Sequence, residues 1–294
     1  MSPSRTSPPP AASKGLTKEQ LDTFNKDGYL IIPGALSQET VSSLLSETHS
    51  MLNNFSLEDH PMTKFSTGEG DDVEHVGDSY FLESGDKIRF FFEEDALSPT
   101  GELLKPKHLS INKIGHALHS LSPPFAALLS PNATHSPSLI AQSLGFKKPQ
   151  YSTFLYTDPP SAVGFWYALE DATRENGCLS FWPGSHKWEK VGKRFVRRKD
   201  GGGTEFVENE GEVFPRGLEK KEKEGEEKEG SYVMGEVKAG DLVLIHGNLL
   251  HKSERNTSGK GRIIYTFHVI EGENVYDERN WLQPPEGALL GCRV

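Results

Sequence analysis

The run Lys238-Ala-Gly-Asp-Leu-Val-Leu-Ile-His-Gly-Asn-Leu-Leu-His251 closes an apolar stretch on a histidine, and Arg262 follows ahead of the strand-like Ile263-Ile-Tyr-Thr-Phe267. A turn, an apolar strand, a histidine at its end and an arginine on the next strand describe the back half of a mononuclear iron site that also holds a 2-oxo acid. Two histidines and one carboxylate on one face of Fe(II) leave three positions open, two for a bidentate 2-oxo acid and one for O2. The guanidinium of Arg262 is a planar fork suited to grip a carboxylate through two parallel hydrogen bonds. Ser253, two residues past His251, would share its face on a continuing strand and add a hydrogen bond. The front half of such a site is a His-x-Asp or His-x-Glu pair, whose i, i+2 spacing aims both side chains at one metal. None of the eleven histidines has a carboxylate two residues later. On the residues alone, His251 also reads as an ordinary strand-end histidine and Arg262 as an arginine of a basic loop.

The elements that would position these residues are mainly β. Thr17-Lys-Glu-Gln20 has the form of a capping box and starts a helix running to about Lys26. Asp27-Gly28 ends it, and Tyr29-Leu-Ile-Ile32 is a strand stopped by Pro33. Ser37 caps a longer helix, Gln38 to about Leu52, with Val41, Leu44, Leu45 and Thr48 at helical spacing. A polar stretch runs from Asn53 to Gly77. Asp86 to Phe92 reads as a buried strand, and Lys113–Leu121 and Pro137–Gly145 as helices. Beyond Tyr151 come short strands at Ser152–Thr157, Ala162–Leu169 and Cys178–Trp182, divided by turns at Asp158-Pro-Pro160, Thr173–Gly177 and Pro183-Gly184. Close-set short strands with turn signals point to a β-sandwich or jelly roll.

Composition narrows the function classes. A net charge of −10 argues against nucleic acid as a main partner, since phosphate binding needs a basic face. Two cysteines, Cys178 and Cys292, provide neither a disulfide framework nor a cysteine-based zinc site, and fit a reducing compartment. No apolar run approaches membrane-spanning length. Residues 1–15 read as a disordered Ser/Pro-rich tail, residues 16–294 as a single domain, and the Glu/Lys/Gly segment at about 216–230 as a disordered solvated insert. The expected location is the cytoplasm and the expected state a monomer.

Glu175-Asn-Gly-Cys-Leu-Ser-Phe-Trp-Pro-Gly-Ser-His186 resembles a signature of the phytanoyl-CoA dioxygenase family of Fe(II)/2-oxoglutarate oxygenases. Further similar stretches are Gln20–Leu36, Ser84–Phe92, Ser110–His119, Glu170–Thr173, Gly240–Ser253 and Trp281-Leu-Gln283. The resemblance implies a double-stranded β-helix and a hydroxylase that takes Fe(II) and 2-oxoglutarate and acts on a small organic molecule, acyl-CoA-like by the family name. It implies that His251 is the distal iron ligand and Arg262 the clamp for the far carboxylate of 2-oxoglutarate. Ser253, Lys113 and Trp166 would be further 2-oxoglutarate contacts; by pattern alone Lys113 is a helix-end surface lysine and Trp166 core packing. His186 reads as structural, His116 and His119 as capping or packing residues at i, i+3 on a helix, and His246 as facing away from His251 on one strand.

One departure is decisive. In the family a His-x-Asp pair directly precedes Ser152-Thr-Phe-Leu-Tyr-Thr157, whereas here Pro149-Gln150-Tyr151 stand in that place, with Pro149 for the histidine and Tyr151 for the aspartate. The chain is expected to lack one core segment between Gln150 and Tyr151, in the manner of a skipped exon. Expected consequences are poor iron binding, no turnover of 2-oxoglutarate, and a strand edge left open on the neighbour of the missing strand. The alternative to a hydroxylase is a catalytically inactive isoform that binds 2-oxoglutarate or a partner.

Overall fold

The computed structural model describes residues 14–65, 79–130, 136–152, 156–211 and 231–283. Its strands are β1 (Tyr29–Ile32), β2 (Ile88–Phe92), β3 (Ile111–His116), β4 (Pro149–Ser152), β5 (Thr157–Asp158), β6 (Val163–Ala168), β7 (Leu179–Phe181), β8 (Lys193–Arg197), β9 (Thr204–Glu208), β10 (Val233–Gly235), β11 (Leu242–His246), β12 (His251–Ser253), β13 (Ile264–Glu271) and β14 (Val275–Tyr276). A five-stranded sheet in the order β1-β11-β6-β13-β4 lies against a three-stranded sheet, β10-β7-β12. These two sheets form the jelly-roll core, and the flanking ribbons are β2-β3, β8-β9 and β14-β5.

Alternation along the strands divides the large sheet into two faces. Leu30, Ile32, Phe165, Tyr167, Leu242, Leu244, Tyr265, Phe267 and Val269 point to one side and join the principal core cluster. Two helices cover that side, α1 (Lys18–Asp27) through Phe24 and α2 (Gln38–Asn54) through Leu44. Three shorter helices complete the layer, α4 (Leu118–Leu121), α5 (Pro123–Ala126) and α6 (Pro137–Ser143), while α3 (Ser79–Leu82) packs Phe81 on Phe91 of β2 and on Trp281. The other face carries Trp166, Ala168, Val243 and Ile245, which meet Leu179 and Phe181 of the small sheet in a second cluster. Tyr29 stacks on Phe181 at 4.3 Å between ring centroids and ties the two sheets.

The expected helix boundaries hold at the N-terminus. Thr17 Oγ1 accepts from the Gln20 amide and the Gln20 side chain accepts from the Thr17 amide, so both halves of the capping box form. Gly28 ends α1 with φ +81°, and Ser37 caps α2. The helix expected over Lys113–Leu121 is wrong for its first half. Ile111–His116 is β3, paired with β2 so that Lys113 faces Phe91, and only Leu118–Leu121 is helical. Ile111 and Ile114 are three residues apart, as are His116 and His119, and pairing with the Phe-rich β2 overrides this helical spacing. His116 and His119 therefore do not share a helix face.

His246 and His251 are likewise not on one strand. His246 ends β11 in the large sheet, a turn follows, and His251 begins β12 in the small sheet. The expected strand Ser152–Thr157 falls partly outside the described residues, as do most of the N-terminal tail and the charged insert. The junction is continuous: β4 runs through Gln150 and Tyr151 and pairs with β13, Tyr151 opposite Val269. The Glu271 carboxylate fastens this entry by accepting from the Lys147 and Lys148 amides. No helix among the described residues is long and apolar enough to cross a membrane.

Candidate active site

Three of the expected site residues converge where β12 and the start of β13 meet the inner face of β6. Arg262 Nη2 donates to Ser253 Oγ at 3.2 Å, and the guanidinium carbon lies 5.4 Å from the centre of the Trp166 ring. Burial lowers the pKa of Arg262; a guanidinium keeps its charge in proteins, so a charged group stands in a partly desolvated place. Register places Trp166 opposite Val243 on one side and Thr266 on the other, so the indole lies on the inner face as a floor for the guanidinium.

His251 and Ser253 are residues i and i+2 of β12, opposite Phe181 and Leu179 of β7, and so share the inner face. The His251 Nδ1 is 2.8 Å from the Leu249 carbonyl, which can only accept. Nδ1 therefore carries the proton, and Nε2 presents its lone pair outward, as a metal ligand must. All three residues of β12 are exposed.

The neighbourhood is an open trough. Thr266 lies on β13 between β6 and β4, yet it is exposed, because the small sheet ends at β12 and covers only part of the inner face. His268, two residues on, is half-buried on the same side. Cys178 lies beneath, buried, its thiol pushed up first by burial and then by Glu236 and Glu254. Thr266, His268 and Cys178 were missed from sequence. A usable signal was Thr266 itself, a polar residue in a strand whose neighbours Tyr265 and Phe267 are core.

Lys113 sits on another element. It is half-buried on β3, its Nζ 4.6 Å from the centre of the Phe65 ring and 5.5 Å from that of Phe81, and burial pushes its pKa down to about 7. It is not the helix-end surface lysine that the pattern suggests. His116, 3% exposed, is 2.6 Å from Ser84 Oγ through Nδ1. Since Ser84 Oγ donates to the Phe81 carbonyl, His116 Nδ1 donates in turn. Burial, then the charge of Lys113, take its pKa to about 2. His186 is buried with Nε2 3.2 Å from the Asn25 carbonyl, and its ring packs 4.8 Å from that of His246.

The donor set fits a carboxylate and does not fit iron. Among the described residues no group of three or more His, Cys, Asp or Glu side chains is placed to hold a metal ion. Tyr151 is 4% exposed in the helix-side cluster, stacked on His119 at 3.8 Å and packed on Phe267 at 4.9 Å. It therefore points to the opposite face of the large sheet from Trp166, and Pro149 has no ligating atom on its side chain.

The phytanoyl-CoA dioxygenase family model matches residues 24–264. The chain belongs to the phytanoyl-CoA dioxygenase family. It is 39% identical to phytanoyl-CoA dioxygenase domain-containing protein 1 of Danio rerio, over 92% of this chain and 96% of that one. It is 37% identical to the homolog of that protein in Caenorhabditis elegans, over 90% of this chain and 95% of the relative. Among solved structures it resembles EctD from S. alaskensis with bound Fe at a TM-score of 0.51 and 15% identity, covering 96% of this chain and 88% of that one, a likeness of fold. The alignment with the Danio rerio protein extends over 299 positions, more than the 294 residues of this chain, although 92% of the chain takes part. That relative therefore has residues in the aligned region that face none here.

Proposed function

We propose that this family member has its origin in Fe(II)- and 2-oxoglutarate-dependent hydroxylation of a small organic substrate, and that the polypeptide as it stands keeps the 2-oxoglutarate half of the centre without the metal half. The observation that carries the reading is the Arg262–Ser253 pair over Trp166, beside an imidazole whose Nε2 lone pair faces outward. Arg262 grips the far carboxylate of 2-oxoglutarate by two charge-assisted hydrogen bonds, Ser253 adds a third, and Trp166 backs the guanidinium. Lys113 is assigned to the same co-substrate by the family resemblance, and a carboxylate beside it would return the amine to its charged form. In the complete centre Fe(II) supplies the oxidising chemistry. Here His251 would be its single protein ligand, and one imidazole does not hold Fe(II) against water.

Three observations support the loss of the metal pair between Gln150 and Tyr151. No His-x-Asp or His-x-Glu occurs in the sequence, the aligned relative carries residues that face none here, and β12 ends the small sheet with one side unpaired among the described residues. A full hydroxylase remains the second reading, favoured by a family match that runs across the junction. The compartment is proposed to be the cytoplasm. The substrate is proposed only as a small organic molecule.

Titration calorimetry with 2-oxoglutarate, with and without Fe(II), tests the reading. Saturable binding that Fe(II) leaves unchanged is expected. Stoichiometric iron together with succinate formation would overturn it in favour of the hydroxylase, and no saturable binding would leave a jelly-roll domain without a site. Sequencing transcripts across the codons for Gln150 and Tyr151 tests the origin: a longer form with a His-x-Asp pair is expected, and an uninterrupted junction in every transcript would refute the skipped segment.

A further inference from the structure

We infer that the outer edge of β12 pairs with the same edge of a second copy of this chain, antiparallel and centred on Ser253. The backbone pattern determines what this edge offers. Trp182 N donates to Leu250 O at 3.0 Å and Glu254 N to Cys178 O at 2.9 Å. In an antiparallel ladder, directly hydrogen-bonded pairs alternate with non-bonded ones. With His251 opposite Phe181 and Ser253 opposite Leu179, residues 250, 252 and 254 turn their backbone groups toward β7. The N–H and C=O groups of His251 and Ser253 therefore point away from the sheet, and among the described residues no strand receives them.

Side chains decide the register. A two-fold axis through the Ser253 pair lets each Ser253 N–H donate to the Ser253 carbonyl of the other copy. It sets Lys252 directly opposite Glu254 of the other copy, twice, in non-hydrogen-bonded pairs where side chains are closest. Centring on Lys252 instead would set two lysines face to face. Lys252 is exposed, its Nζ 4.5 Å from the centre of the Tyr232 ring, and Glu254 accepts from Ser180 Oγ, so both charges already lie on the outer face of the small sheet. Pairing would join two three-stranded sheets into one of six strands. So short a contact buries less than the roughly 1,200 Å² typical of stable interfaces, so the dimer is weak and concentration-dependent.

Sedimentation velocity of the full chain over a wide concentration range tests this. A shift from monomer to dimer with rising concentration is expected. Lys252→Glu sets two glutamates opposite two glutamates and should weaken association about tenfold. The double exchange Lys252→Glu with Glu254→Lys restores opposite charges and should restore the dimer. A wild-type chain that stays monomeric throughout, or a dimer indifferent to Lys252→Glu, would overturn the inference. A second measurement does not depend on the stability of the charge variants. An equal mixture of Lys252→Cys and Glu254→Cys chains should form a mixed disulfide under mild oxidation, and more of it than either chain alone gives. Equal yields from the mixture and the single variants would also overturn it.

Discussion

The two faces of the five-stranded sheet are built from the same strands and have opposite fates. On the helix-covered face Phe165, Tyr167, Leu242, Leu244 and Phe267 are buried to within 1%. On the other face Thr266, on an interior strand, is exposed, because the opposing sheet has only three strands and stops at β12. The helical face supplies a core that does not depend on the site. The inner face supplies the site and depends on how many strands cover it. A change that deletes a strand from the small sheet can therefore abolish chemistry while leaving most apolar burial in place.

The contrast is sharpest under acid. His116 is held down to about 2, His119 and His246 to about 4, and His186 is lowered as well, in each case first by burial. Below the ordinary value of 6.5 the unfolded chain takes up protons that the folded chain refuses, so these groups stabilise the fold above that value and the contribution is lost as pH falls toward 4. His116, His119 and His246 each contribute a slope of about 1.4 kcal/mol per pH unit in that window. The unfolding free energy from urea titrations between pH 7.5 and 4.5 should fall by on the order of several kcal/mol in total; a flat profile would contradict the burial of these rings.

Phe267→Ala on the closed face should destabilise the chain by about 3–5 kcal/mol in urea unfolding, as large-to-small changes at full burial do. A loss under 1 kcal/mol would mean that the helix layer is not the main core. Arg262→Ala should weaken 2-oxoglutarate binding by about 1.5–3 kcal/mol, the range for hydrogen bonds to a charged group. Arg262→Lys should recover little, since an ammonium lacks the planar fork. The smallest effect belongs to Thr266→Ala, next to Phe267 on the same strand. It should stay within about 0.5 kcal/mol, and a larger loss would mean that the trough is covered in solution.

Sequence patterns recovered what local rules govern. The capping box at Thr17, the stop at Gly28, the Ser37 cap and the strands around Phe92, Trp166 and Phe181 follow from spacing and turn chemistry, and the structure repeats them within a few residues. Patterns failed where pairing with a distant strand decided the outcome. His116 has helical spacing from Lys113 and from His119, but β2 claims Lys113 and His116 for a ladder. His246 and His251 look like one strand because the apolar run resumes at Leu249-Leu250, although Gly247-Asn248 is a turn signal and the chain turns there. The geometry of the clamp was legible only in part: Arg262 and Ser253 could be paired from strand order, whereas the floor beneath them needs the register of β6 on β13.

β1 meets its partner late. Among the described residues Tyr29–Ile32 pairs only with Leu242–Ile245, and Gly34 N donates to the Asp241 carboxylate across 207 residues of sequence. At a synthesis rate of about 5–20 residues per second, the first strand emerges on the order of 10–40 s before the strand it joins. α1 and β1 must wait through that interval with Leu30 and Ile32 uncovered. Of the pairings in the large sheet this one spans the longest stretch of chain, so the N-terminal unit waits longest for its partner strand.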